Sequence, residues 1–296
     1  MDEDQWLAER FEENRAHLHA VAYRMLGSLP EADDAVQDTW LRVSRAGTSE
    51  VENLRGWLTT IIARVCLNML RSRNARRERS LEDHIPDPVV EPEGVAQPDE
   101  QALLADSVGL ALLVVLDTLS PAERLAFVLH DMFDLSFEEI APMVDRSPVA
   151  ARQLASRARR RVKGARIPAP DPDIARQREV VDAFFRAARA GDFDGLVAAL
   201  DPDVVLREEF GAGRPGGLRV HHGAAAVAKQ ARLGARLDAH LIPALVNGAA
   251  GAVVTVRGRP FAVMGFTVTE GRIVEIDAIA DPERVGRIAA AVLDDQ

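Results

Sequence analysis

Ser120-Pro-Ala-Glu123-Arg-Leu-Ala-Phe-Val-Leu-His-Asp-Met-Phe-Asp-Leu-Ser136-Phe-Glu-Glu139-Ile-Ala-Pro-Met-Val-Asp145-Arg146-Ser147-Pro148-Val-Ala-Ala-Arg152-Gln153 is the stretch whose reading decides the rest. It contains three helix starts. Ser120 and Ser136 are each followed three residues later by glutamate, so hydroxyl and carboxylate can satisfy first-turn N–H groups reciprocally. Ser147-Pro148 sets a capping hydroxyl before a proline at the helical position where its missing N–H is harmless. Only Asp145 and Arg146 separate the second helix from the third, which predicts a helix-turn-helix. Leu125, Val128, Leu129, Phe133, Leu135, Ile140, Val144 and Leu154 supply its small core.

Beyond Asp145 the charge has one sign: Arg146, Arg152, Arg157, Arg159, Arg160, Arg161, Lys163 and Arg166, with no acid among them. A solvated helix face normally mixes signs. A wholly cationic helix after a tight turn is what a phosphate backbone attracts. In this motif the N-terminal part of the last helix enters the major groove. That places Arg146, Ser147, Pro148, Val149, Ala150, Arg152, Gln153 and Arg157 against DNA. Arg152 and Gln153 suit guanine and adenine edges, and Val149 and Ala150 suit thymine methyls. The later arginines suit phosphates.

At 296 residues the chain has room for two or three domains, and its net charge of -10 argues against a general nucleic-acid coat. DNA contact is therefore confined to local basic patches. The lone Cys66 excludes an intramolecular disulfide and suits a reducing cytoplasm; its apolar neighbours predict burial. With acids at the N-terminus and no apolar run of membrane-spanning length, the expected location is cytoplasmic. No cofactor, metal site or catalytic residue is expected.

Upstream, Trp6 to Leu26 has helical apolar spacing, and Gly27-Ser28-Leu29-Pro30 ends that helix and starts the next. In the following helix Ala32, Ala35, Val36, Thr39, Trp40 and Val43 form a stripe to bury. Asp33, Asp34, Gln37 and Asp38 fall largely opposite, where acids in a first turn also suit the helix dipole. Asn53 to Glu78 predicts a long helix, apolar from Leu58 to Leu70 and basic afterwards. Arginines beside Trp57 suit melted DNA, where exposed bases stack on aromatic rings. Leu81 to Glu100 mixes Pro86, Pro88, Pro92 and Pro98 with acids and reads as a flexible or extended linker.

In this order the three segments resemble a bacterial sigma factor of the extracytoplasmic-function (ECF) class. Asp34-Ala-Val-Gln-Asp-Thr-Trp-Leu-Arg42 resembles the helix that grips core RNA polymerase, which implies a polymerase-binding role for Asp34, Gln37, Asp38 and Leu41. Trp57 to Arg77 resembles the helix that reads and melts the −10 element, implying DNA contact by Asn53, Trp57, Arg64, Asn68, Arg71, Arg73, Arg76 and Arg77. Leu119 to Lys163 resembles region 4, the binder of the −35 element. The implied domains are region 2 over 1–80, an acidic Pro-rich linker over 81–101, region 4 over 102–166, a linker over 167–173 and a further domain over 174–296. A fully extended linker of about 20 residues reaches roughly 65 Å, comparable with the roughly 58 Å between DNA sites about 17 base pairs apart. It would let both basic patches engage one promoter.

Ile174 to Ala190 predicts an amphipathic helix, Phe193 to Leu200 a short second one, and strands follow at 204–206, 240–246, 252–256, 260–269 and 272–280. Asn247-Gly248, Gly258 and Glu270-Gly271 supply hairpin turns. Helices followed by a curved antiparallel sheet give an α+β cone. It resembles the SnoaL-like domains of the ketosteroid-isomerase-like type, which in some ECF factors follow the sigma regions. The expected fold is thus multidomain: two all-α sigma domains and an α+β cone. The resemblance implies promoter-specific initiation with core polymerase, no bond-making chemistry, regulation in cis by the cone, no required anti-sigma factor and a monomer when free. The glycine-rich loop Phe210 to Gly217 and the tryptophan-free linker depart from motifs common in that set. Two other readings compete. The cone could bind a small ligand or act as an isomerase- or cyclase-like enzyme, with Asp201, Asp203, Glu208 and Asp277 as candidate acids. The helix-turn-helix could instead serve a regulator that needs no polymerase. His221-His222 is too sparse for a metal site.

Overall fold

The computed structural model describes residues 3–46, 53–77, 84–93, 109–165, 169–211, 217–235 and 239–293. Two compact units emerge, residues 1–81 with 112–166, and residues 82–111 with 167–296.

The first unit is helical. Its elements are α1 (Glu3–Leu26), α2 (Leu29–Ala46), α3 (Leu54–Arg77) and then, after 84–93, all but the first two residues of α4 (Leu110–Asp117), followed by α5 (Pro121–Phe127), α6 (Phe137–Ile140) and α7 (Pro148–Gly164). Leu18, Val21, Met25, Val36, Leu58 and Ile62 from α1, α2 and α3 meet in a closed core. Cys66 is wholly buried among them, and that burial pushes its thiol pKa up. Both expected capping boxes are present, Ser120 with Glu123 and Ser136 with Glu139. Ser147 caps α7 by accepting from the Ala150 N–H. The tight turn before it depends on Asp145 adopting a left-handed φ of 55°, a conformation that aspartate tolerates better than most residues.

In the second unit, β1 (Val90–Pro92) precedes α8 (Ile174–Ala190), α9 (Phe193–Ala199), β2 (Leu200–Glu209), β3 (Leu218–His222), α10 (Ala224–Gly234), β4 (Ala239–Val246), β5 (Ala249–Val256), β6 (Arg259–Thr269), β7 (Arg272–Ile279), α11 (Pro282–Ile288) and α12 (Ala290–Leu293). The seven strands form one sheet in the order β1-β4-β5-β6-β7-β2-β3. Three two-residue turns join β4 through β7: Asn247-Gly248, Arg257-Gly258 and Glu270-Gly271, each with two positive φ values. This is the geometry whose twist matches that of the flanking strands. On one face α8, α9 and α10 close over Leu206, Phe266, Val268 and Ile276. This is the expected α+β cone, with two corrections. The sheet is mixed, because β2 pairs parallel to β7, and β3 and α10 are additional elements whose short segments lack a clear period.

The expected linkers also differ. Residues 84–93 do not form a free tether: His84 to Glu91 are mostly buried, and β1 pairs antiparallel with β4 through Val90↔Val246 and Pro92↔Ala244. A proline-rich segment can still join a sheet at its edge, where a missing N–H costs no ladder bond. The shorter linker is anchored too. The Asp171 N–H donates to the Val268 carbonyl at 2.8 Å, and the Asp171 carboxylate accepts from the Glu270 and Gly271 N–H groups.

Candidate nucleic-acid and polymerase interfaces

Helix α7 is held from behind by small side chains. Ala151, Ala155 and Ala158 are fully buried against the preceding helices, so Arg146, Ser147, Pro148, Val149, Arg152, Gln153 and Arg157 are left outward and Ala150 half-buried. Val149 is 63% exposed, an apolar side chain standing in water on the first turn. The Arg152 guanidinium lies 5.2 Å from the centre of the Phe137 ring, a contact that orients it without consuming its donors. Farther along, the arginines expected at phosphates are partly committed within the chain. Arg157 Nε is 3.2 Å from Glu123, Arg159 Nε donates to Asp131 at 2.6 Å, and Arg161 donates to the Thr118 carbonyl at 3.2 Å. Their acids lie upstream of the run, so counting signs along α7 alone missed them.

The basic half of α3 divides by face. At 3.6 residues per turn, Trp57, Arg64, Asn68 and Arg71 fall within about 60° of one another. Arg64, Asn68 and Arg71 are exposed, while Trp57 is half-buried. Asn53 precedes the helix, where its Oδ1 accepts from the Gly56 N–H at 3.0 Å, a capping role. Arg73 projects on the opposite side. It donates to the Leu26 carbonyl at 3.0 Å, to Glu31 at 3.2 Å and to Asp117 at 2.9 Å. Arg73 is thus committed within the helical unit, unlike the exposed Arg64 and Arg71. The side chains of Arg76 and Arg77 lie outside the described residues.

Helix α2 behaves as a two-sided element. Ala32, Ala35, Val36, Thr39 and Val43 are buried, and Trp40 packs half-buried with its ring 5.1 Å from that of Phe11. Asp34, Gln37, Asp38 and Leu41 recur at i, i+3, i+4 and i+7 and form one solvent-facing stripe. Leu41 is 44% exposed. Asp38 holds Arg42 at 2.9 Å, an exposed pair of little energetic weight.

Sequence reasoning missed the charges that join the two halves of this unit. Arg124 on α5 is only 1% exposed, and its guanidinium donates to the Arg24 carbonyl at 3.2 Å and to Asp117 at 3.1 Å. Asp117 therefore receives Arg124 and Arg73 together. Arg24 lies over the Phe133 ring at 5.2 Å, and burial lowers its pKa. Arg64 reaches the Pro142 carbonyl at 3.3 Å. The signal available beforehand was weak: an arginine inside the apolar run of α5, beside Glu123.

In the second unit, Arg284 on α11 holds the docked segment. It donates to Asp87 at 2.8 and 2.6 Å, to the Ile85 carbonyl at 2.6 Å and to Glu209 at 2.7 Å. Glu209 also accepts from the Ile85 N–H at 2.7 Å. Burial alone would raise the Glu209 pKa. The hydrogen bond to His84, the Arg284 charge and the Ile85 N–H outweigh it and hold the carboxyl at about 2. Asn247 closes the other end by exchanging bonds of 2.8 Å with both backbone groups of Val89.

The four candidate acids do not converge. Asp201 accepts from the Asp203 N–H, as a turn former does. Asp277 does not line the cone. It lies on the opposite face of β7 beside Arg207 at 3.0 Å, and burial, opposed by Arg207 and reinforced by Glu275, pushes it up to about 6. Glu208 alone of the four faces the interior beneath α10, bonded to His221 at 3.0 Å and Gln230 at 3.1 Å. His222 is exposed. Among the described residues no group of histidine, cysteine and acids is arranged to hold a metal, and no helix is long and apolar enough to cross a membrane.

Residues 10–76 match the Sigma-70 region 2 family and residues 109–162 match Sigma-70, region 4. The fold and its two basic helices are those of a sigma factor. The chain belongs to the ECF RNA polymerase sigma factors. It is 36% identical over 287 residues to the ECF RNA polymerase sigma factor SigJ of Mycobacterium tuberculosis, covering 93% of this chain and 91% of that one. It is 39% identical over 194 residues to the probable ECF factor SigI of the same species, covering 64% and 66% of the two chains. The crystal structure of SigJ superposes with a TM-score of 0.74 at 32% identity, covering 94% of this chain and 97% of that one. This is an alternative sigma factor that binds core RNA polymerase and promoter DNA, a transcription regulator rather than an enzyme.

Proposed function

We propose that the C-terminal body of this sigma factor governs initiation in cis by holding the segment that joins regions 2 and 4. The observation that carries the reading is the docking of residues 84–93 on the sheet, clamped by Arg284, Glu209 and Asn247. A linker held in this way cannot lend its length to a span between two promoter elements. Release restores up to about 3.5 Å of reach per residue. The Arg73–Asp117–Arg124 cluster supports the same view, since it ties the two DNA-binding regions together in the free chain.

In this reading Arg146, Ser147, Pro148, Val149, Ala150, Arg152, Gln153 and Arg157 meet the −35 element. Trp57, Arg64, Asn68 and Arg71 meet the −10 element, with Asn53 capping their helix. Asp34, Gln37, Asp38 and Leu41 meet the polymerase. The protein acts in the cytoplasm as a monomer when free, and its own C-terminal body replaces a separate anti-sigma factor. Run-off transcription with reconstituted core polymerase tests the scheme. Arg284→Ala leaves Glu209 and Asp87 without their shared cation and should raise output from the cognate promoter several-fold. Output equal to that of the unmodified chain, with residues 84–93 shown to be exposed, would remove the linker from the regulation.

A further inference from the structure

The interior of the cone is incompletely filled. A cavity of about 160 Å³ lies beneath α8 and α10, walled by Phe185, Leu206, Leu241, Phe261, Met264 and Ile276. An apolar cavity of about 150 Å³ accepts a benzene-sized ring, so the space fits one small ring compound. Methionine and phenylalanine walls tolerate varied ring shapes.

The polar anchor is Glu208. Its carboxylate accepts one bond from His221 and one from Gln230, leaving further lone-pair positions on an acceptor-only group. An occupant therefore needs an O–H or N–H to give, and a carboxylate on that occupant would face like charge in apolar surroundings. Arg189 also lines the cavity, but it is exposed at the end of α8 and meets solvent at the mouth.

Glu208 has a second property. Successive side chains on a strand point to opposite faces. The next residue along β2 is Glu209, which on the far face grips the Ile85 N–H and Arg284. One strand thus presents an acceptor to the cavity and, one residue later, an acceptor to the linker. We infer that the cavity is a binding site for a small uncharged ring compound bearing one hydrogen-bond donor, and that β2 transmits its occupancy to the docked linker. The inference rests on the linker-holding reading for its consequence. Binding itself is measured on the free full-length chain, where no transcription step enters, so failure of one is separable from failure of the other.

Three probes of similar size decide it: p-cresol, which carries a donor, p-xylene, which does not, and p-toluate, which is anionic. Calorimetric titration of the full chain should show p-cresol binding about tenfold or more tightly than p-xylene, as expected of a bond to a charged acceptor, with p-toluate weaker than either. Glu208→Leu should abolish that preference while p-xylene still binds. Glu208→Gln, a milder change that protects the test against misfolding, should reduce it at least threefold. Saturating p-cresol should change amide exchange at residues 84–93 several-fold in the unmodified chain and not in the Glu208 variants. No p-cresol binding, tighter binding of p-toluate, or a preference unchanged in both variants overturns the site. Binding with unchanged exchange overturns its link to the linker.

Discussion

Helices α3 and α7 have nearly the same chemistry in sequence, an arginine-rich second half after a capped start, yet the fold uses them differently. On α7 three alanines face inward, so Arg152 and Gln153 face out at the end of the helix beside the tight turn. On α3 the cations split, with Arg64 and Arg71 exposed and Arg73 turned inward to Asp117. A cluster of basic residues is therefore not one functional object. Each arginine is assigned by the angle at which its helix presents it and by the acid that lies within reach.

The sharpest way to break this contrast is to remove the acid. Asp117→Ala takes from Arg124 and Arg73 the carboxylate they share in a poorly solvated site, and losing one partner of a buried pair costs about 3–5 kcal/mol. Urea unfolding of the full-length chain should show that loss; a change below about 1 kcal/mol would mean that the shared carboxylate is not what holds the two arginines. For an outward arginine, Arg152→Ala should leave stability nearly unchanged and cost the holoenzyme about 1–3 kcal/mol of discrimination at one −35 base pair, as read by competition between promoter variants. On α2, Asp38→Arg should weaken core polymerase binding about tenfold by charge reversal, with folding stability altered by at most about 0.5 kcal/mol. Equal binding by that variant would send the polymerase contact elsewhere.

The smallest expected effect at neutral pH is that of titrating the held carboxylate Glu209. Its pKa in the docked state, about 2, lies below its ordinary value of 4.5. Its contribution to docking is therefore complete above about pH 4.5 and is lost as pH falls towards 2. His84, Arg284 and, through Asp87, Arg287 are the charged groups around it. Protection of the Ile85 amide, its exchange relative to an unstructured amide at the same pH, should fall across that acidic window in the unmodified chain. In Glu209→Gln, the fall in protection over the same window should be much reduced.

What the sequence disclosed and what it concealed follow one rule. Capping boxes at Ser120 and Ser136, the turns at Asn247-Gly248 and Glu270-Gly271 and the stripe on α2 were all legible, because each rests on residues within a few positions of one another. The family resemblance was legible for the same reason, since its motifs are short helices. The docked linker, the parallel β2–β7 pair and the Arg124–Asp117–Arg73 cluster were not. Prolines and acids between 84 and 93 look alike whether the segment is free or lies on a sheet edge, and the deciding partners, Asn247 and Arg284, lie far away in the chain. The cavity was expected only as a possibility of the fold, and the placement of Asp277 on the face of β7 away from the cavity was hidden because strand alternation fixes faces only once the register is known.

The clamp closes across a long interval of chain: Arg284 comes 197 residues after Asp87. A ribosome completes both promoter-reading regions well before it reaches that arginine, and the exit tunnel delays its emergence further. Every molecule is thus made with the clamping residue later than the segment it clamps, and on the proposed regulation a chain that loses Arg284 to a protease returns to the nascent condition. Limited proteolysis of stalled nascent chains should find residues 84–93 open to cleavage until Arg284 emerges, and protected early segments would show that the hold does not depend on it.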